Sequence, residues 1–309
     1  MSTLLITHSA CLEHLTPLGH PERPDRLRAI ERVLEHERFM PLAREQAPRA
    51  APEIIALCHP QGYIEQIREA VPHEGLVRLD ADTSMSPGSF EAATRAVGGV
   101  TLAVDEVMGK KAANAFVAIR PPGHHAEPAV PMGFCLFNNA AIAARYAQRR
   151  HGAERAAIVD FDVHHGNGSQ AIFWTDPSVM YCSTHEMPLY PGTGSISERG
   201  EHDNIVNAPL RAGDGGPEFR EAFETAILPR LHEFRPDFIV ISAGFDAHMR
   251  DPLANLNLSE ADFGWATRKI LEVGDASAEG RVVSVLEGGY DLEGLARSVA
   301  AHVIALMRA

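Results

Sequence analysis

Two aspartates and two adjacent histidines crowd into the stretch AAIVDFDVHHGNGSQAIF at 156–173: Asp160, Asp162, His164 and His165. In an extended segment side chains alternate with period two, so Asp162 and His164 point to the same side and can grip one ion. Asp246 follows another apolar run and offers a third ligand. Two carboxylates and one imidazole with a position left open suit a catalytic Zn²⁺. Such an ion lowers the pKa of its water to about 7 and makes a nucleophile at neutral pH. One D-x-H by itself reads equally well as a turn aspartate beside a solvated histidine. The third ligand is what favours a metal.

Proton transfer needs a group that titrates near neutrality, and His124-His125 follows the stiff turn RPPG at 120–123. One histidine of such a pair can take a proton while the other donates a hydrogen bond or stabilises charge. An exposed HH loop is the plainer alternative. Tyr290 in EGGYD follows a strand-like run, and a phenol opposite a metal could polarise a carbonyl, although a turn tyrosine often only packs. GTGS at 192–195 and GNGS at 166–169 lack the pattern of a phosphate-binding loop, and no G-x-S-x-G elbow occurs. Cys135 and Cys182 lie near these clusters and read as small buried hydrophobes.

These groups need a scaffold, and the apolar runs supply it. Strands are predicted at 114–120, 156–163, 178–184, 237–244 and 281–289, mostly continuous rather than alternating, as in strands covered on both faces. Helices are predicted at 89–109, 137–152, 216–234, 259–274 and 292–309, with Ser259 and Asp262 as cap and early acid. This alternation implies a parallel, doubly wound α/β sheet. RPPGHHAEP, DVHHGNG, STHEMPLYPGTG, GFDAHMRDP and EGGYD all fall at the carboxyl ends of predicted strands. In an open parallel sheet those ends line one crevice, where ligands bind.

Bulk composition excludes some partners. The chain has 309 residues and a formal net charge of −13, which argues against binding a nucleic-acid backbone. A run of about 18 apolar residues is missing, so no membrane span is expected. The start MSTLLITHSACLEH lacks the basic and apolar regions of a signal peptide. Four dispersed cysteines without C-x-x-C suit reduced thiols in a cytoplasm. No repeat or long linker divides 1–309, which reads as one catalytic domain.

GHPERPDRL (19–27), RPPGHHA (120–126), GFCLFNN (133–139), DFDVHHGNG (160–168), YPGTG (190–194), SAGFDAHMRDPL (242–253) and LEGGYD (286–291) occur in this order. Together they resemble the zinc-dependent histone deacetylase and acetylpolyamine amidohydrolase superfamily, closest to class II and bacterial histone deacetylase-like amidohydrolases. The likeness covers nearly the whole chain. It implies the arginase–deacetylase fold, with a parallel sheet of about eight strands and helices on both faces. It implies one Zn²⁺ on Asp162, His164 and Asp246, with Tyr290 at the developing oxyanion. His125 then is the main general base and acid and His124 its electrostatic partner. Gly133, Phe134 and Tyr190 match positions lining an acyl-lysine tunnel. The resemblance also implies structural K⁺. Asp160 and Ser183 would give side-chain oxygens to the first site, completed by carbonyls of Asp162, His164 and Thr184. Carbonyls of Phe173, Asp176, Val179 and Asn204 would form a second site.

Asn167 stands where some members of the superfamily carry Asp beside the catalytic histidine, so it accepts a hydrogen bond without adding charge. Leu253 follows RDP where polyamine-specific relatives carry an acidic gatekeeper, which favours acyl-lysine peptides or proteins over small acylated amines. Arginase-like chemistry with two Mn²⁺ and a non-catalytic acyl-lysine binder are the competing classes. The HH pair and Tyr290 fit the mononuclear deacylase better than the first, and the complete ligand set argues against the second. A homo-oligomer is compatible with all three.

Overall fold

The computed structural model describes residues 1–308. The strands are β1 (Thr3–Thr7), β2 (Ala43–Gln46), β3 (Val77–Arg78), β4 (Ser84–Met85), β5 (Asn114–Val117), β6 (Ala156–Asp160), β7 (Val179–Glu186), β8 (Ile205–Leu210), β9 (Phe238–Ala243) and β10 (Val282–Leu286). The helices are α1 (Asp25–Leu34), α2 (Pro52–Ile55), α3 (Gln61–Glu69), α4 (Ser89–Met108), α5 (Asn139–His151), α6 (Asn167–Phe173), α7 (Gly216–Ala222), α8 (Leu228–Phe234), α9 (Glu260–Ser277) and α10 (Leu292–Met307).

Eight strands form one sheet in the order β2-β1-β5-β10-β9-β6-β7-β8, with every pairing parallel. β3 and β4 make a separate antiparallel hairpin. All residues of β5, β6, β7, β9 and β10 are buried, so the centre of the sheet is covered on both faces. Their Val, Ile, Phe and Ala side chains enter the main core, and α4 packs with α5 while α10 packs with α9 and α1. A second core around Tyr63, Ile64, Ile67 and Phe137 seats α3.

The five strands read from the sequence are these five contiguous central ones. The strands not read, β1, β2 and β8, lie toward the two edges. β2, with sequence AREQ, is exposed at all of its residues and carries no apolar signal. The predicted helix at 216–234 is interrupted by a π-helical turn at 223–227 between α7 and α8. Pro229 has no N–H to donate back along the helix, and widening of the preceding turn accommodates that loss. α9 starts as expected, with Asp262 Oδ2 accepting the Ser259 N–H at 2.9 Å. The predicted last helix runs to Met307, and its final position, Ala309, lies outside the described residues.

A buried ionic knot ties the N-terminal segment to the sheet's carboxyl end. Glu22 is fully buried and accepts from Arg26 Nη1 at 3.0 Å and from Arg120 Nη2 at 2.6 Å. Arg26 in turn donates to the carbonyl of Gly289 at 2.6 Å and to that of Glu287. Burial opposes the charge on Glu22, but Arg120 and Arg26 outweigh it and pull its pKa down to about 2. Glu22→Gln leaves two arginines buried against a neutral amide and is expected to cost about 3–5 kcal/mol at pH 7, read from denaturant unfolding. A carboxyl held low in the fold stabilises above its ordinary pKa, so wild type should lose this advantage as pH falls from 4.5 toward about 2.

Candidate active site

The ladder of β6 stops at Asp160, so Asp162 and His164 lie beyond the strand and not within it. Period-two alternation is therefore not what aligns them. A relay of side-chain turns does so: Asp160 Oδ1 accepts the N–H of Asp162 at 3.0 Å, and Asp162 Oδ1 accepts that of His164 at 2.9 Å. Asp246, just past β9, accepts the Val163 N–H at 2.9 Å and so joins the same loop. His164 Nδ1 sits 3.2 Å from Asp162 Oδ1 and 3.1 Å from Asp246 Oδ2. These three buried residues are the one group of such side chains, among the described residues, that converges closely enough to hold a metal ion. Burial alone would depress the His164 pKa, but its hydrogen bonds to the two aspartates push it up to about 10. The site thus draws positive charge to the point where the three side chains meet, which fits a divalent cation. Oxygen and imidazole donors are also the set that such a cation takes.

The histidine pair arrives from the end of β5. His124 Nδ1 lies 3.0 Å from Asp160 Oδ2, and His125 Nδ1 lies 2.8 Å from Asn167 Oδ1. The amide of Asn167 has its orientation fixed, because Nδ2 donates to Glu127 Oε1 at 2.9 Å. Oδ1 therefore faces His125, whose Nδ1 must carry the proton, leaving Nε2 as an acceptor. Burial works against charge on His124, yet Asp162 and Asp160 prevail and hold its pKa well above the ordinary value. Burial, with His124 and His164 alongside, holds His125 well below it. Two adjacent imidazoles are thus pushed toward opposite protonation states.

Above them lies a cavity of about 250 Å³ lined by Asp82, His125, Gly133, Phe134, His164, Leu189, Tyr190, Leu253 and Tyr290. Phe134 meets the Tyr290 ring edge-on at 5.8 Å, and Tyr190 meets His125 edge-on at 5.1 Å. Gly133 has φ +57°, and a Cβ there would stand 2.3 Å from His125 Cδ2, so only glycine leaves room for the imidazole. The guanidinium of Arg26 lies 4.9 Å from the centre of the Tyr290 ring. His165 does not reach the cavity; it bonds Thr193 Oγ1 at 2.8 Å and Gln170 Oε1 at 3.1 Å. Ser183 pairs in register with Asp160 across β6 and β7 and bonds His185 Nδ1 at 2.8 Å. At the second expected cation site, the backbone carbonyl of Asn204 accepts the Tyr181 N–H at 3.0 Å.

Sequence reasoning did not find the groups that brace these residues. Asp251 accepts the N–H of Leu253 at 3.0 Å on one oxygen and that of Tyr290 at 2.7 Å on the other. Glu287 accepts the N–H groups of Gly123 and His124, at 2.7 and 3.1 Å. Asp82 accepts the Gly133 N–H at 3.2 Å. Asp251 and Glu287 lie within motifs singled out for other residues and Asp82 lies outside them all, so only partners distant in the chain reveal their use. Gly288 shows how tightly the floor is built: a Cβ there would lie 2.2 Å from Asp246 Oδ2 and 2.5 Å from Asp162 Oδ2. Gly288→Ala is expected to weaken divalent-metal binding by at least about tenfold, measured as metal content after dialysis, with the circular dichroism spectrum retained.

Comparison with known proteins places this geometry. The histone deacetylase domain family matches residues 20–306. An uncharacterized protein of Synechocystis is 44% identical over 302 residues, covering 96% of each chain. Histone deacetylase 10, chloroplastic, of Oryza sativa is 41% identical over 91% of this chain and 68% of its own. A histone deacetylase-like amidohydrolase of Pseudomonas aeruginosa is 39% identical over 88% of this chain and 73% of its own. Among solved structures, the crystal structure of the HDA15 HD domain superposes with a TM-score of 0.94 at 34% identity, over 99% of this chain and 88% of that one. With an eight-stranded parallel sheet and, at its carboxyl edge, a triad that could hold a metal ion, this chain belongs to the histone deacetylase family and is a hydrolytic deacetylase.

Proposed function

We propose that the chain is a zinc-dependent amidohydrolase that removes acetyl or related acyl groups from lysine side chains. The observation that carries this reading is the cavity. His125, His164 and Tyr290 stand in the same small space as Phe134, Leu189, Tyr190 and Leu253. An apolar passage suits the methylene stem of lysine, and the polar groups sit where the amide would stop. Zn²⁺ held by Asp162, His164 and Asp246 would supply Lewis acidity toward the amide carbonyl and acidify water at neutral pH.

The chain's own residues then divide the work. His125 accepts a proton at Nε2, because Asn167 keeps Nδ1 protonated, and later returns it to the leaving amine. His124, paired with Asp160, holds positive charge beside it. Tyr290 donates its phenolic proton as a hydrogen bond to the developing oxyanion. Gly133 and Phe134 shape one wall and Tyr190 another. A monovalent cation at the first structural site would use Asp160 and Ser183, which face each other across β6 and β7.

Leu253 favours acyl-lysine over acetylpolyamine, since a neutral rim gives no charge to hold an internal ammonium. The one acid on the cavity wall, Asp82, is engaged with Gly133 and Thr83. Residues 1–309 act as one catalytic domain in this reading, and a cytoplasmic setting agrees with four unpaired cysteines. No described helix is long and apolar enough to cross a membrane.

Three measurements test these assignments. Acetyl-lysine peptides should be turned over with kcat/KM at least about tenfold above N-acetylputrescine. Activity should vanish with a chelator and return with Zn²⁺; a clear polyamine preference would overturn the substrate assignment. Asn167→Asp places a carboxylate against His125 Nδ1. A general base whose pKa is raised stays protonated to higher pH, so the acidic limb of the kcat/KM profile should move upward. An unmoved limb would refute the role given to Asn167.

A further inference from the structure

The loop from Phe173 to Val179 runs directly into β7, the strand that carries Ser183. The carbonyl oxygens of Phe173, Asp176 and Val179 converge on one point at the start of β7. That point is filled by the amide nitrogen of Asn204, with Nδ2 at 2.8 Å from Phe173 O, 3.0 Å from Asp176 O and 2.9 Å from Val179 O. Asn204 is 3% exposed, so water does not share the task.

Three carbonyl lone pairs aimed at one centre call for positive charge. A ring of carbonyl oxygens is how proteins replace the hydration shell of a monovalent cation. An amide nitrogen is the neutral group that can take such a place, although its two N–H donors must serve three acceptors. With no cation between them, the amide must present its nitrogen to these oxygens. Turned round, the amide would aim an oxygen at three oxygens. The cost of the observed orientation is visible on the other side, where Asn204 Oδ1 is buried without a hydrogen-bond partner among the described residues. It is accommodated because residue 200 is glycine, at φ +72°; a Cβ there would stand 2.5 Å from Oδ1.

The surrounding groups leave a cation little else to bind. The backbone carbonyl of Asn204 accepts the Tyr181 N–H at 3.0 Å. The Asp176 carboxylate accepts from Ser178 Oγ at 2.7 Å and pairs with Arg145. The guanidinium of Arg145 already lies over the Phe173 ring, 4.9 Å from its centre. The group that meets the three carbonyl oxygens is thus the side chain of Asn204 and not its backbone carbonyl.

We propose that the Asn204 side chain takes the place of a second monovalent cation, so that the loop feeding β7 is held by a built-in amide and the folded chain binds monovalent cations at the Asp160–Ser183 site alone. This rests on membership of the histone deacetylase family and not on the acyl-lysine reading, so either can fail without the other.

Crystals of the metal-loaded wild-type protein grown in rubidium chloride test it directly at the rubidium absorption edge. The expected result is no anomalous peak within bonding distance of the carbonyls of Phe173, Asp176 and Val179. A peak among those oxygens, with the amide turned to present Oδ1, overturns the proposal. In solution, Asn204→Ala exposes the three carbonyls to one another. Its Tm in N-methylglucamine chloride should fall by about 3–10 °C relative to wild type. Replacing that salt with potassium chloride at equal ionic strength should recover most of the loss, over and above any response of wild type. Equal potassium responses in the two proteins would count against the amide's role. Should the alanine variant fail to fold, Asn204→Asp, which supplies the charge that attracts a cation, should fold only in potassium. Its folding equally well in both salts would also overturn the proposal.

Discussion

The acids beneath the cavity are buried, and burial of a carboxylate is tolerable only when its oxygens are hydrogen-bonded or paired. Asp160, Asp162, Asp246 and Glu287 are each at most 1% exposed. Every one of them accepts a backbone N–H from a loop: Asp160 from Asp162, Asp162 from His164 and Gly288, Asp246 from Val163, and Glu287 from Gly123 and His124. Those donors come from the loops after β5, β6 and β10. Neighbouring strand ends are thereby sewn together by the same groups that give the site its charge. The need to satisfy buried acids and the need to fix catalytic geometry are met by one set of bonds.

This arrangement explains why the site tolerates so little bulk. At Gly133, Gly288 and Gly244 a Cβ would lie 2.0–2.3 Å from His125, Asp246 or Asp162 atoms. The loops must pass close enough for their N–H groups to reach the carboxylates. Rigidity here comes from contacts that span the sheet rather than from any single loop's own conformation. The ionic knot of Glu22, Arg26 and Arg120 extends the same logic to the N-terminal segment, whose Arg26 holds the carbonyls of Glu287 and Gly289 and stands over Tyr290.

Most of the central fold was legible because strands buried on both faces leave continuous apolar runs, and their polar ends stand out against them. The edge strands were not, since exposed AREQ in β2 looks like a loop. The histidines, Tyr290, Asp162, His164 and Asp246 stood out by type and spacing, and the structure brings them together. The reason first given for the Asp162–His164 alignment was mistaken, because β6 ends at Asp160 and hydrogen-bonded turns take over. Asp82, Asp251 and Glu287 escaped notice because an acid that receives N–H groups from distant loops has no local signature. The amide of Asn204 escaped for the same reason, its three acceptors lying 25 to 31 residues away.

Asp251 ties two parts of the cavity that are easily thought of separately. One oxygen accepts the backbone N–H of Leu253 and the other that of Tyr290, two residues of the cavity wall. Displacement of the rim loop is thereby coupled to the backbone of Tyr290 through a single carboxylate. An engineer who widens the mouth by remodelling the Leu253 loop would be retuning the far wall with the same stroke.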